Sequence, residues 1–239
     1  MPLTEHTRQI IRLAWARTLQ LDDFDLERGD PGLRLEVVDD DAASLSFTRL
    51  FDRAVLSGPE PLLDRARSVP DEQLADETRL LALAAAEHPG ARIAGETFLL
   101  CSEEPPEVPP SPVASGAISF EPEPVHALLE DSPADDVAAS GLPAAEWAAT
   151  LVDESDGTPL TAAGRRVQQM LLGELGVLTA PAHRGRGLAA HVGAVAVEEA
   201  FVDGLVPQWR AAVEAPASRR LAHALGFVDI GARTTVTLT

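Results

Sequence analysis

Between Val177 and Val202 the chain must pass from an extended apolar run into a helix through two glycines set one residue apart. That junction restricts the fold more than any other feature of the sequence. Val177-Leu178-Thr179 reads as the end of a strand, and Ala180-Pro181 stops it. Arg184-Gly185-Arg186-Gly187-Leu188-Ala189 then opens a helix predicted over Gly187–Val202. Glycine permits backbone angles and close approaches that a side chain blocks. The first amides of a helix lack an intrahelical acceptor, and the helix dipole adds partial positive charge there. A phosphate-sized anion is stabilised at such a place, and Arg184 and Arg186 supply forked donors for its oxygens. The residues alone give an anion site and leave the anion open.

Several owners of such a turn can be weighed. A dinucleotide fold needs G-x-G-x-x-G after the opening strand of a parallel sheet, whereas Gly185-x-Gly187 is followed by Ala190. A P-loop needs Gly-Lys-Ser/Thr, and the chain has no lysine. An Arg-Gly nucleic-acid segment would be longer, and the net charge of −19 opposes it. The bland alternative is an arginine- and glycine-rich surface turn.

Periodicity and breakers predict the other elements. Helices are expected at Glu5–Gln20, Glu60–Arg67, Asp71–Glu87, Val125–Glu130, Ala134–Ser140, Ala144–Asp153 and Pro216–Leu225. Strands are expected at Arg34–Asp39, Ser44–Phe51, Arg92–Cys101, Ser115–Phe120, Val206–Val213 and Val228–Leu238. Leu160–Gln169 and Met170–Thr179 read as an antiparallel pair. Residues 102–116 hold Pro105, Pro106, Pro109, Pro110 and Pro112, too many for a central strand or a helix, and read as an extended linker. The expected domains are 1–101, an N-terminal α/β lobe, and 117–239, separated by that linker.

Charge is uneven: residues 1–160 carry 32 acids and 11 arginines, residues 161–239 six acids and eight arginines. An anionic ligand is better placed near the C-terminal third. One cysteine, Cys101, excludes an internal disulfide and a Cys-rich metal site. No apolar run reaches the roughly 18–20 residues that span a bilayer, and no signal-peptide pattern opens the chain. A soluble cytoplasmic protein, bound neither to membrane nor to nucleic acid, is expected.

At Arg184-Gly185-Arg186-Gly187-Leu188-Ala189 the sequence resembles the GNAT superfamily of N-acetyltransferases, whose acyl-CoA signature is Gln/Arg-x-x-Gly-x-Gly/Ala. Val177-Leu178-Thr179-Ala180-Pro181 is similar to the family's central strand and its proline. Downstream, Gln208–Val213, Ser218-Arg219-Arg220-Leu221-Ala222 and Leu225-Gly226-Phe227 repeat its strand, helix and Leu-Gly-Phe order. The resemblance covers about residues 155–239. It implies an α/β (α+β) fold with a mixed, mostly antiparallel central sheet flanked by helices. The N-terminal lobe would be an addition, one reading of it being a degenerate acetyltransferase-like half.

The resemblance also implies acetyl-CoA as co-substrate, with its pantetheine arm along Val177, Leu178 and Thr179 and its pyrophosphate on residues 184 to 189. A backbone N–H near Leu178 or Thr179 would face the developing oxyanion, and no metal is called for. The reaction implied is direct attack of a primary amine on the thioester, helped by proximity; a small cationic amine fits the acidic N-terminal region. Glu174 is the candidate general base and Ser218 a candidate water carrier or plain helix-start residue. Two departures from the pattern matter: Ala215 stands where many members carry asparagine, and Ala222 where many carry tyrosine. They motivate the alternative of a non-catalytic acyl-CoA sensor. His183, His191, His223 and Cys101 read as surface or core residues, and a homodimer is compatible with the chain.

Overall fold

A computed structural model describes residues 2–239. In chain order its elements are α1 (Glu5–Thr18), β1 (Leu35–Val38), β2 (Ser44–Leu50), β3 (Arg53–Gly58), α2 (Glu60–Ala66), α3 (Asp71–Leu74), α4 (Glu77–Ala84) and β4 (Arg92–Cys101). There follow β5 (Gly116–Ser119), α5 (Pro122–Glu130), α6 (Ala134–Ser140), β6 (Trp147–Asp153), β7 (Thr158–Gln168) and β8 (Leu172–Thr179). The chain ends with α7 (Leu188–Val202), β9 (Val206–Ala212), α8 (Pro216–Ala224) and β10 (Val228–Thr237).

Two compact units share these elements, and neither is one continuous stretch. Arg8–Leu100, Ala211–Arg219 and Asp229–Thr239 form one, here called the N-terminal unit. The C-terminal unit holds Cys101–Arg210 and Arg220–Val228, with the described residues up to Thr7. One change of unit falls between Leu100 and Cys101. The closing strand β10, however, lies almost wholly in the N-terminal unit.

In the N-terminal unit β2 pairs antiparallel with β3 and with β10, and β1 pairs parallel with β3. Leu45, Phe47, Leu56, Leu62, Leu80 and Val236 are the heart of its core. The strand β3 is absent from the sequence expectation. Its hairpin with β2 turns at Phe51, which takes φ +54, where the usual glycine or asparagine signal is missing. The single helix expected over Asp71–Glu87 is two, because the Asp76 carboxylate accepts the Arg79 amide at 2.9 Å and caps a new start.

The C-terminal unit carries the strand order β9-β8-β7-β6-β5. β5–β6, β6–β7 and β7–β8 are antiparallel and β8–β9 is parallel. The expected pair β7–β8 forms in full, from Thr161↔Thr179 to Gln168↔Leu172. The helix expected over Ala144–Asp153 is overturned: Trp147–Asp153 is the strand β6, held between β5 and β7. Its alanines favour a helix locally, but pairing on both edges decides the outcome. Val125, Leu128, Leu142, Ala162 and Leu178 pack one face of this sheet.

The helix α7 is buried around most of its girth, since Leu188, His191, Val192, Ala194, Ala196, Val197 and Ala200 all lie inside. Part of the cover is the proline-rich segment. His191 donates from Nδ1 to the Pro109 carbonyl oxygen at 2.7 Å, and Val113 packs on Leu151, Leu160 and Leu188. Residues 102–115, which carry neither helix nor strand, are thereby strapped to their own unit.

Candidate active site

The ladder between β8 and β9 begins at Leu172↔Val206 and ends at Leu175↔Trp209. β8 continues four residues further, to Thr179, paired only with β7 on its other side. The direction of each backbone group follows from the pairing. Val206 donates its N–H to Leu171 O and Ala180 donates to Leu160 O, so odd-numbered residues of β8 turn their amides to the β9 side and even-numbered ones to β7. The N–H groups of Val177 and Thr179 thus line an open strand edge. Leu178 does not join them: its backbone faces Ala162 of β7, its carbonyl accepts the Thr161 hydroxyl at 2.9 Å, and its side chain is core. Of the two amides expected near the oxyanion, that of Leu178 is turned to β7 and that of Thr179 to the open edge.

The open edge runs directly into the glycine turn. Pro181–His183 forms one tight helical turn, Arg184 is extended, and Gly185 and Gly187 take φ +73 and +81. A Cβ on either glycine would meet nothing within 4 Å. The requirement for glycine is therefore the left-handed backbone and not crowding. This conformation turns out the amides of Gly185, Arg186, Gly187, Leu188 and Ala189, none of which has an acceptor among the described residues; the first amide that finds one in the new helix is that of Ala190, bonded to Gly187 O at 3.1 Å.

The two arginines of the turn are already engaged. Arg184 donates from Nε to the Thr179 carbonyl at 3.2 Å and from Nη2 to Asp136 Oδ2 at 2.6 Å. Arg186 donates from Nη1 to Nδ1 of His183 at 3.0 Å. All three contacts are at the surface, where charged side chains exchange partners at little cost.

Glu174 sits one residue before the ladder ends. Both oxygens of this candidate base are paired. Oε2 accepts Arg166 Nη2 at 2.8 Å and Oε1 is held by Arg210, with the Glu174 side chain only 15% exposed. A base needs a lone pair directed at its proton, and here both oxygens point at guanidinium groups. Sequence reasoning missed these partners because they come from neighbouring strands, through the register Arg166↔Glu174↔Gln208. Ser218, half-buried in the first turn of α8, donates its amide to Ala215 O at 3.0 Å and belongs to the N-terminal unit. Ala222 is fully buried. Burial pushes the Cys101 thiol well above its ordinary range, which suits a core residue and not a nucleophile.

Leu-Gly-Phe has a structural purpose. Leu225 packs so closely on Gly193 of α7 that a Cβ there would stand 2.9 Å from its Cδ1. Phe227 meets Trp209 edge-on, with ring centroids 5.7 Å apart. Among the described residues there is no cluster of three or more His, Cys, Asp or Glu able to hold a metal. No described helix is long and apolar enough to cross a membrane.

Residues 169–235 match the family model for GNAT acetyltransferase. No curated protein matches the chain. Among solved structures, a GCN5-related N-acetyltransferase from Kribbella flavida is 22% identical, with a TM-score of 0.50, over 66% of this chain and 63% of its own. One from Sphaerobacter thermophilus is 16% identical, with a TM-score of 0.50, over 68% of this chain and 56% of its own. A GNAT-family protein from Novosphingobium aromaticivorans is 22% identical, with a TM-score of 0.47, over 63% of this chain and 69% of its own. This chain thus spans less than two thirds of the length of two of these three. The likeness to the Kribbella and Sphaerobacter proteins is one of fold, a mixed and mostly antiparallel sheet flanked by helices. The signature residues and the open edge of β8 fall on the stretch, residues 169–235, that is similar to the GNAT acetyltransferase family.

Proposed function

We propose that this protein transfers the acetyl group of acetyl-CoA to a primary amine by direct attack. The observation that carries the reading is the continuity of the open β8 edge with the five outward amides of the glycine turn. An extended chain bearing amides and ending in a pyrophosphate matches that line. Its amides would pair with Val177 and Thr179 as an added strand, and its phosphates would take the amides of residues 185 to 189 with help from Arg184 and Arg186. The thioester then lies where the ladder between β8 and β9 stops. An amine held there attacks the carbonyl carbon, and much of the acceleration comes from proximity. The thiolate leaves with a proton from water, since no tyrosine exists in the chain. The single cysteine and the acidic surface suit a reducing, cytoplasmic setting.

A second reading, a sensor that binds acyl-CoA without turnover, is favoured by the buried Ala222 and by the doubly paired Glu174. Calorimetry with acetyl-CoA tests what the two share: no binding, or binding indifferent to joint replacement of Arg184 and Arg186 by alanine, removes both. An amine panel read by free-thiol release separates them. Acceptor-dependent release supports the transferase, and binding without release across the panel supports the sensor.

A further inference from the structure

We infer that the acceptor carries a carboxylate beside its amine, and that Arg166 and Arg210 are the residues that recognise it. This rests on the acetyl-transfer reading above and narrows its substrate class. Residues alternate across β8. Leu178 packs on Val125 and Leu128, and a Cβ on Gly176 would overlap the Ser140 carbonyl oxygen, so the even-numbered residues face α5 and α6. Glu174 is on this face, beside the point where β8 and β9 part.

Two guanidinium groups converge on that one carboxylate. Glu174 is recessed at 15% exposure, while Arg166 and Arg210 are 46% and 39% exposed. Neither arginine has a second carboxylate partner among the described residues. The neutral pair Gln208–Gln168, bonded at 3.0 Å, lies alongside. In a protein of net charge −19, the floor next to the reacting position therefore holds two cations to one anion. Each guanidinium has five N–H donors in a fixed fork, and Glu174 occupies only part of them. An incoming carboxylate fits the remainder in a bidentate manner.

The exchange has a chemical consequence. A substrate carboxylate draws Arg166 and Arg210 toward itself and releases a Glu174 oxygen, which then faces the substrate's ammonium. The ammonium gives one proton to Glu174 and attacks as the neutral amine. The N–C bond forms, the C–S bond breaks, and the second amine proton reaches the departing thiolate through water. Glu174 later returns its proton to solvent. An amine without a carboxylate leaves Glu174 clamped.

The test compares free-thiol release with each standard amino acid, its carboxamide and its decarboxylated amine, using the full chain and acetyl-CoA. The expected result is kcat/KM at least tenfold higher for one or more amino acids than for their carboxylate-free counterparts. In Arg166→Gln and Arg210→Gln variants KM for those acceptors should rise about tenfold or more, with partial recovery in the lysine variants. Equal or better turnover of the carboxylate-free amines overturns the inference and leaves acetyl transfer standing. So does an unchanged KM in both glutamine variants. Acetyl-CoA binding with no thiol release from any of these acceptors also overturns it, and absence of acetyl-CoA binding removes the transferase reading itself.

Discussion

Arg184, the first residue of the glycine signature, is held by Asp136 of α6 at 2.6 Å. The contact joins the turn to a helix that precedes it by almost fifty residues, and it points the guanidinium at a carboxylate where the proposed ligand offers phosphate. Arg184 and Asp136 are 48% and 34% exposed, so the pair contributes only about 0–1 kcal/mol to stability. Its interest is competition for the guanidinium.

The first prediction follows from that competition. Asp136→Asn should tighten acetyl-CoA binding about two- to fivefold by releasing Arg184, with a melting temperature close to that of the parent. Arg184→Ala should weaken binding about tenfold, or about 1.4 kcal/mol. Titration calorimetry at fixed ionic strength measures both. A weaker complex in Asp136→Asn would mean that the aspartate orients the arginine productively and does not compete with the ligand.

Two glycines of the same stretch should fail in different ways. Gly187 needs a left-handed backbone at φ +81 in open surroundings, so Gly187→Ala adds about 1–2 kcal/mol of backbone strain. A fall of a few degrees in melting temperature, at about 2–4 °C per kcal/mol for a chain of this size, should accompany weaker acetyl-CoA binding. Gly176 is instead pressed against the Ser140 carbonyl, and a methyl there must displace α6 or β8. Gly176→Ala should therefore cost more stability than Gly187→Ala. Thermal denaturation of the two variants side by side decides the order.

The parts of the fold legible in sequence were those with local punctuation. The turn at 184–189 announces itself through two glycines and a proline, and β7–β8 through two apolar runs with no breaker. What escaped was set by partners distant in sequence. The expected helix Ala144–Asp153 holds four alanines, and Trp147–Asp153 becomes a strand through its pairing with β5 and β7 on either side. The turns at Phe51 and at Gln169-Met170 use positive φ at residues that do not advertise it. At the site, the glycine turn into α7 could be read directly, while the pairing of Glu174 with Arg166 and Arg210 depends on the register of three strands. Alternation along β8 likewise separates Leu178 from Val177 and Thr179, a distinction no short motif carries.

The end of β6 should confer a pH-dependent contribution to stability. The Asp153 carboxylate is held below the usual carboxylate range, chiefly by the Ser115 hydroxyl at 2.7 Å, then by the Ser155 hydroxyl and amide. A depressed folded-state pKa means that the stabilisation is complete above the unfolded value, about 4, and is lost as pH falls through the folded one. Asp153→Asn should therefore have a lower denaturant midpoint than the parent at pH 7. The two midpoints should approach each other below about pH 3–4. A gap that stays constant with pH would assign the effect to packing and not to ionisation.

The strap over α7 gives the last prediction. His191, 9% exposed, offers Nδ1–H to the Pro109 carbonyl at 2.7 Å, near the middle of a segment whose own hydrogen bonds lie toward its ends, at Ser102 and at Ser111–Gly116. His191→Ala removes the donor to the half-buried Pro109 carbonyl, at a cost of about 0.5–1.5 kcal/mol. Because Val113 packs on Leu188 at the other end of the segment, loosening should spread toward the first turn of α7, where the outward amides lie. Limited proteolysis should then cut within 102–116 several times faster than in the parent, and bound acetyl-CoA should slow that cutting. His191→Gln, which keeps an N–H of similar reach, should restore most of the resistance. Equal cutting rates in parent and His191→Ala would show that the other contacts of the segment, among them Ser102 N–H to the Pro207 carbonyl and Ser115 to Asp153, secure it without His191.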